Sequence, residues 1–278
     1  MSALIEVDDV HRTYGRRHGG RRVHALRGVS FEVQRGERFG VVGESGSGKS
    51  TLIRLLAGLD QPTSGAVRFD GQPVSGRRER QLRFLRSQLQ VVFQDPMSSL
   101  DPRMNVRQIV SEPLVGTGHP DPIGRVRELL DAVGLEAAAA DRYPHQFSGG
   151  QRQRISIARA LAPKPSVLVA DEPVSALDVS VRAQILNLLA DLVDELALTL
   201  VFVSHDLSVV RRVCDRVAVL HDGELVEVGT TEHVYSADAK PYTRQLIAAV
   251  PTIEGALAGV DAEHLAADVT AAGTPDPS

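Results

Sequence analysis

The stretch "GESGSGKS", Gly43 to Ser50, lies between the apolar run "FGVV" at 39–42 and the amphipathic segment "KSTLIRLLAGL", which predicts a helix ending at Gly58. Its spacing is G-x-x-x-x-G-K-[ST], in the strand–loop–helix context that this pattern requires. Glycines let the backbone turn tightly, so that its N–H groups converge on a phosphate. Lys49 suits the β- and γ-phosphate oxygens, and the Ser50 hydroxyl suits Mg²⁺. The stretch therefore predicts a site for a nucleoside triphosphate.

Composition excludes several classes of protein. The chain has 278 residues, 42% of them apolar, which is enough for a substantial core. The formal net charge of −4 argues against a nucleic-acid partner. Cys214 is the single cysteine, so an internal disulfide is impossible. With no apolar run near the ~18 residues of a membrane span and no signal-peptide segment, we expect a soluble cytoplasmic protein that can dock on a membrane partner.

The order of apolar segments predicts an α/β fold. Buried-strand patterns alternate with helical ones, which indicates a mostly parallel sheet covered on both faces. These strands are expected at 39–42, 90–93, 167–170, 200–203 and 217–220, and further short strands at 4–10, 29–33 and 66–70. One helix is expected to bury Val181, Ile185, Leu188, Leu189, Leu192 and Leu196. The interval from about 101 to 163 reads as a helical insertion, and the basic segment 16–22 as a solvated hairpin tip.

Polar residues follow three of the buried strands. Asp171 and Glu172 end "SVLVADEP", His205 follows "LVFVS", and Gln94 follows "QVVF". The carboxyl ends of parallel strands meet at the crevice where ligands bind. One carboxylate there suits the Mg²⁺ shell, and the other suits the activation of water toward a γ-phosphate. His205 is placed to sense the γ-phosphate, and the Gln94 amide to join the metal shell.

A second glycine turn starts the stretch "FSGGQRQRISIARA", 147–160. Ser148 is predicted to cap a helix whose apolar face includes Ile155, Ala158 and Leu161. A helix N-terminus preceded by such a turn favours an anion, but this turn has no following lysine and no metal ligand. It is therefore predicted to be half of a phosphate site.

Together these residues resemble the nucleotide-binding subunits of ABC transporters. The phosphate loop, Gln94, "SGGQ" at 148–151, the acid pair, "SALD" at 175–178 and His205 occur in that family's order. The resemblance covers about 4–235 and implies a P-loop NTPase with a mostly parallel core sheet, a small antiparallel β subdomain and a helical subdomain at about 101–163. Residues 1–235 would be the ATPase domain, and 236–278 a C-terminal extension ending in a disordered tail.

The resemblance also implies roles for individual residues. Glu172 would be the general base, with His205 and Lys49 also catalytic, and Asp178 would act across a dimer interface. Mg²⁺ would be held by Ser50, Gln94 and, through water, Asp171. ATP would be bound by Tyr14 stacking on adenine, by Gly43, Glu44, Ser45, Gly46, Ser47, Gly48, Lys49, Ser50 and Thr51, and, from the partner subunit, by Ser148, Gly149, Gly150 and Gln151.

The subgroup and the partners are further expectations. "VVFQDPMSSLDPRM", "FSGGQRQR" and "KPYTRQLIAAVP" at 240–251 resemble the oligopeptide/dipeptide importer ATPases. This implies a peripheral protein on the cytoplasmic face of the plasma membrane, which energises transmembrane permease subunits and, indirectly, an extracytoplasmic substrate-binding protein. A second ABC ATPase subunit, identical or related, would complete the dimer. The 94–103 loop is the expected contact with the permeases.

Several alternatives stay open at this point. A P-loop GTPase normally needs Asn-Lys-x-Asp, which none of Lys49, Lys164 and Lys240 provides. A small-molecule kinase would explain the phosphate loop but not "SGGQ" or the acid pair. A non-transport ABC ATPase usually has a long coiled coil or tandem cassettes, and this chain has neither. A different cargo, such as nickel, another metal chelate or a drug, is compatible with all the motifs.

Overall fold

The computed structural model describes residues 3–15, 22–115 and 119–249. The predicted hairpin tip at 16–22 falls almost entirely outside the described residues, and the predicted tail after 251 falls wholly outside them. No helix within these ranges is long and apolar enough to cross a membrane.

The strands include all that the sequence predicts, longer than predicted at the N-terminal end, and two that were not predicted, at Gln72–Pro73 and Glu224–Thr230. In chain order they are β1 (Ile5–Tyr14), β2 (Val23–Val33), β3 (Arg38–Val42), β4 (Ser64–Phe69), β5 (Gln72–Pro73), β6 (Leu89–Val92), β7 (Val167–Asp171), β8 (Thr199–Ser204), β9 (Arg216–His221) and β10 (Glu224–Thr230). β1 and β2 pair from Ile5↔Val33 to Tyr14↔Val23, with three register shifts. These irregularities interrupt the alternation of apolar and polar residues, which explains why the pattern predicts only part of each strand.

The helices are mostly short. They are α1 (Lys49–Leu56), α2 (Arg83–Gln88), α3 (Pro96–Ser99), α4 (Val106–Ser111), α5 (Pro122–Ala132), α6 (Gly149–Leu161), α7 (Val179–Glu195), α8 (Leu207–Val213), α9 (Thr231–Val234) and α10 (Pro241–Ala248). Gly58, with φ +62°, follows the end of α1 as predicted. The described residues of the 101–163 interval contain no strand, which agrees with the predicted helical insertion.

One prediction for α7 was wrong. Leu196 was expected on its buried face, but the helix ends at Glu195 and Leu196 is 45% exposed. Ala197 follows with φ +50°, a left-handed conformation that cannot continue the helix. The buried residues of α7 also include Leu186 and Val193, so its buried face is rotated relative to the predicted one.

Two sheets organise the chain. A four-stranded antiparallel sheet has the order β2-β1-β4-β5, and a six-stranded sheet has the order β10-β9-β3-β8-β7-β6. In the larger sheet β9, β3, β8, β7 and β6 are parallel, and β10 pairs antiparallel with β9. The α/β fold with a mostly parallel core sheet and a small antiparallel β region is confirmed.

The larger sheet separates two hydrophobic cores. On β8, Leu200 and Phe202 belong to the core beside the helical insertion, whereas Val201 and Val203 belong to the core beneath α1 and the antiparallel sheet. Because both faces are buried, the strand reads as one continuous apolar run. Its register places Val42 opposite Ser204, and Asp171 opposite Val203, so the ends of three strands meet at one edge.

Candidate nucleotide site

The phosphate loop connects β3 to α1 at this edge. Gly48, with φ +107°, precedes α1, and a Cβ on it would lie 2.5 Å from the Ala25 carbonyl oxygen. A Cβ on Gly43 would lie 2.2 Å from the Leu220 carbonyl oxygen. Both positions therefore require glycine, because the backbone of neighbouring strands leaves no room for a side chain.

The N-terminus of α1 is free of competing groups. Gly48 supplies no side-chain cap, and the first turn contains no acidic residue. The backbone N–H groups there, together with the helix dipole, are available to an anion. Ser50 and Thr51, in the same turn, line the cavity in front of the loop.

Lys49 lies inside the loop. Its side chain is buried, and Nζ donates to the carbonyl oxygens of Gly43 at 2.7 Å and Glu44 at 2.8 Å. Burial lowers the pKa of Lys49, while Glu172 and Asp171 oppose that shift. A buried ammonium with its donors on loop carbonyls holds the loop ready for a phosphate oxygen.

The acid pair follows from the end of β7. Asp171 is its last residue, and burial, aided by the Glu172 charge, raises the pKa of Asp171 to about 6. Glu172 leaves the strand with φ +45°, and its backbone N–H donates to the Val203 carbonyl at 2.9 Å. Asp171 is thus still part of the strand, whereas Glu172 follows it in a left-handed conformation.

Glu172 is the point at which three strand ends converge. Its Oε2 lies 3.1 Å from His205 Nδ1, after β8, and accepts a 3.1 Å hydrogen bond from Gln94 Nε2, after β6. Gln94 also donates to Ser175 Oγ at 3.3 Å. Glu172 is mostly buried while His205 is exposed, so one face of this group is open to the cavity.

These groups surround a cavity of about 700 Å³. Ten of the predicted site residues line it, namely Glu44, Ser45, Gly46, Gly48, Lys49, Ser50, Thr51, Gln94, Glu172 and His205. Gly43 and Ser47 are buried within the loop. The remaining lining residues, Val23, His24, Ala25 and Leu246, were missed by the sequence analysis. Only the pairing of β2 and the packing of α10 bring them here, and no local motif signals either.

Oxygen donors are present for a magnesium ion. The predicted ligands Ser50, Gln94 and Asp171 offer a hydroxyl, an amide oxygen and a carboxylate, which are the donors that Mg²⁺ prefers. Within the described part of the chain there is no cluster of three or more His, Cys, Asp or Glu residues suited to a metal. Ser50 and Gln94 line the cavity, whereas Asp171 does not, and donors of these kinds suit an ion that is held jointly with substrate phosphates.

Tyr14 does not line this cavity. Its hydroxyl donates to Asp60 Oδ2 at 2.7 Å, and the Arg12 guanidinium lies 4.4 Å from the ring centroid while also bonding Asp60. Its strand partner Val23 does line the cavity. Stacking of Tyr14 on adenine stays a prediction.

The second glycine turn lies apart from the cavity. Ser148 caps α6, and its Oγ accepts from Gln151 N at 3.3 Å while Gln151 Oε1 accepts from Ser148 N at 3.0 Å. Ser148, Gly149 and Gln151 are exposed, whereas Gly150 is buried, and a Cβ on it would lie 2.5 Å from Val181 Cγ1. None of these four lines the cavity of this chain.

Asp178 is likewise separate from the cavity and caps α7. Its Oδ1 accepts hydrogen bonds from Val181 N at 3.0 Å and Ser180 Oγ at 2.9 Å, which lower the pKa of Asp178. Because Gly150 packs on Val181, the second glycine turn and the start of α7 form one exposed unit.

A phosphate loop, a strand-end acid pair with a histidine and a glutamine, and a separate "SGGQ" helix start define a P-loop ATPase of the ATP-binding cassette class. Comparison with known proteins identifies the family. The profile of the family described as ABC transporter matches residues 26–175. The chain belongs to this family.

Similar proteins are numerous. The oligopeptide transport ATP-binding protein OppF of Streptococcus mutans is 46% identical over 252 residues, which are 89% of this chain and 82% of that protein. The dipeptide transport ATP-binding protein DppF of Haemophilus influenzae is 50% identical over 234 residues, 83% of this chain and 72% of that protein.

Solved structures share the fold. A dimeric post-hydrolysis state of the ATP-binding cassette MJ0796, bound to ADP and Pi, has a TM-score of 0.74 at 33% identity and covers 82% of this chain and 99% of that one. CbiO1 from Clostridium perfringens, part of the ABC transporter complex cbiONQ, has a TM-score of 0.75 at 32% identity, with 93% and 100% covered.

Proposed function

We propose that this chain is the ATP-hydrolysing subunit of an importer for oligopeptides or dipeptides. The observation that carries the proposal is the convergence of Gln94, Glu172 and His205 on one cavity with the phosphate loop. The names of the OppF and DppF relatives support the peptide cargo, and a Brucella ovis relative whose name contains the words "peptide import" supports the direction of transport.

Binding of ATP follows from the loop. Its N–H groups and Lys49 hold the phosphates, with Ser45 to Thr51 around them. Ser50, Gln94 and, through water, Asp171 would hold Mg²⁺, which when bound neutralises charge on the β- and γ-phosphate oxygens. Tyr14 is assigned to the adenine.

Hydrolysis is assigned to Glu172 as general base. Its Oε2 is held between Gln94 and His205, which fixes the carboxylate toward the cavity. His205 can report on the γ-phosphate because it is exposed and in contact with this carboxylate. Release of the phosphate would therefore alter the hydrogen bonds at the ends of β6 and β8 together.

A second ATPase subunit completes each site. Ser148, Gly149, Gly150 and Gln151 lie outside this chain's own cavity, with all but Gly150 exposed, which supports a role on the γ-phosphate of a partner. Asp178, in the same exposed unit, is assigned to that interface. The dimeric MJ0796 structures support the assembly, whose partner is a second copy or a related ATPase.

Coupling to transmembrane permeases is assigned to the 94–103 loop. Phe93 and Met97 beside Gln94 are exposed apolar side chains, 39% and 57% accessible. Apolar side chains exposed next to a residue assigned to the magnesium shell suit a protein contact that senses the nucleotide. The chain would thus lie peripherally on the cytoplasmic face of the plasma membrane, and an extracytoplasmic binding protein would deliver the peptide to the permeases.

Substitution of Glu172 tests the ATPase assignment. We expect Glu172→Gln to retain ATP binding and to lower kcat at least 100-fold, since a general base contributes about 10²–10⁴. Steady-state hydrolysis in the reconstituted transporter measures this effect. Unchanged turnover would show that Glu172 is not the base.

Substitution of Ser148 tests the shared site. Ser148→Arg is expected to retain ATP binding and to abolish hydrolysis, because the bulky cation would block closure on the partner's γ-phosphate. Retained hydrolysis contradicts the role in trans.

Affinity purification from membranes with identification of the permeases decides between peptide and metal-chelate or drug cargo.

A further inference from the structure

The helix α10 of the C-terminal extension is anchored to β10 through a buried carboxylate. Glu227 is 8% exposed, and its Oε2 accepts hydrogen bonds from Thr243 Oγ1 at 2.6 Å and Lys240 N at 3.0 Å. Its Oε1 lies 3.1 Å from His233 Nε2. Burial opposes ionisation, yet these hydrogen bonds keep the pKa of Glu227 below its ordinary value. Removing one partner of such a carboxylate leaves a buried charge less satisfied.

The same anchor brings α10 to the phosphate loop. Tyr242 packs on the His221 ring at the end of β9, with ring centroids 4.0 Å apart. Burial, aided by the Glu44 and Asp222 carboxylates, raises the pKa of Tyr242. One turn further on, Leu246 lines the cavity itself. The Pro241-Tyr242-Thr243 segment, which the ATPase motifs do not explain, thereby fixes the position of a cavity wall.

Leu246 supplies an apolar wall where most of the lining is polar. Of the lining residues only Val23, Ala25 and Leu246 have aliphatic side chains, and Val23 is 58% exposed. Leu246 is 9% exposed, is part of the hydrophobic core and also lines the cavity. A nucleotide presents apolar atoms beyond its phosphates, which bind better against such a wall than against water.

We propose that α10 is part of the nucleotide site, with Leu246 contacting the bound nucleotide and the Thr243–Glu227 hydrogen bond positioning that contact. The proposal rests on the proposed function, since it assigns these residues to the same ATP site. Leu246 is a binding residue, and Thr243 and Glu227 are positioning residues that act through it.

The test is titration of the full-length chain with MgATP by calorimetry. We expect Leu246→Ala and Thr243→Val each to weaken ATP binding by roughly three- to tenfold, the range for losing part of one apolar contact. Thr243→Ser keeps the hydroxyl and is expected to restore binding to within about twofold. Gln245→Ala, an exposed position on the same helix, is the matched control and is expected to leave affinity unchanged.

A double variant separates positioning from general destabilisation. If Thr243 acts through Leu246, Thr243→Val combined with Leu246→Ala binds ATP no more weakly than Leu246→Ala alone. Additive losses, failure of Thr243→Ser to rescue, or an unchanged affinity in Leu246→Ala would overturn the proposal. If Thr243→Val does not fold, the affinity of Leu246→Ala still decides.

Failure of the proposed function would look different. In that case the unmodified chain itself binds no MgATP, or its affinity for MgATP is no higher than that of the Lys49→Ala variant. If the unmodified chain binds MgATP and Lys49→Ala does not, while both α10 variants bind normally, only the inference about α10 fails.

Discussion

The contact between Gly150 and Val181 makes a sharp prediction about why the "SGGQ" turn needs its second glycine. A Cβ on Gly150 would lie 2.5 Å from Val181 Cγ1, about 1 Å closer than ordinary van der Waals contact. Val181 is β-branched and stiff, so α6 and α7 must separate. Overpacking of this kind lowers the free energy of unfolding by about 1–3 kcal/mol, and the higher helix propensity of alanine offsets up to about 1 kcal/mol of this loss. We expect Gly150→Ala to lose about 0.5–2 kcal/mol.

The assay is thermal unfolding of the nucleotide-free chain. A loss of this size corresponds to a decrease in Tm of about 1–4 °C for a chain of this length. Gly149→Ala is the matched control, because its Cβ would meet only the flexible end of Leu177, Cδ2, at 3.3 Å. Its Tm is expected to change by about 1 °C or less, since the side chain can move away.

A double-mutant cycle identifies the clash itself. In a Val181→Ala background, the cost of Gly150→Ala is expected to fall to less than half, because the atom that it would strike is absent. If Gly150→Ala and Gly149→Ala melt at the same temperature, or if the cost is unchanged in the Val181→Ala background, packing against α7 does not explain the glycine.

Three further predictions concern stability. The pKa of Asp171 is about 6 in the folded chain against an ordinary 3.8, so the folded state holds this proton more tightly than the unfolded state does. The free energy of unfolding of the nucleotide-free protein should therefore fall as pH rises from about 4 to about 6. Denaturant unfolding of Asp171→Asn should show no such fall. Phe147 is buried in the insertion core, so Phe147→Ala should cost about 3–5 kcal/mol and Phe147→Leu less than about 1.5, by the same measurement. Buried Arg125 donates to the carbonyls of Leu161 and Ala162 at the end of α6, and Arg125→Met should cost about 1–3 kcal/mol; an unchanged unfolding midpoint contradicts this.

The fold could be predicted because its signals are local or strictly periodic. The run 200–203 is apolar on both faces, which indicates a buried strand without knowledge of its neighbours. "GESGSGKS" carries its own turn chemistry, donors and helix start within eight residues. The order of such segments then restricts the topology to a parallel sheet with its polar strand ends at one edge.

The interior of the site could be predicted only as far as the strand ends. Sequence places Gln94, Glu172 and His205 at one edge, but not the convergence of two of them on the single oxygen Oε2 of the third. That detail depends on the left-handed backbone conformation of Glu172, which cannot be predicted from the residue type. Leu246 was unpredictable for a related reason, since it lines the cavity only because a buried carboxylate on β10 anchors a helix that begins more than ten residues later.

The "SGGQ" turn shows why a local pattern alone is ambiguous. Ser148 and Gln151 form a complete capping box, and this box explains both side chains without any ligand. The helix start also needs only one small residue where Gly150 meets Val181. What the box does not explain is the exposure of Gly149, which has no φ or contact requirement as strict as that of its neighbour. An exposed glycine at a helix N-terminus leaves the backbone N–H groups open to an approaching phosphate, and that accessibility is what the proposed partner site requires.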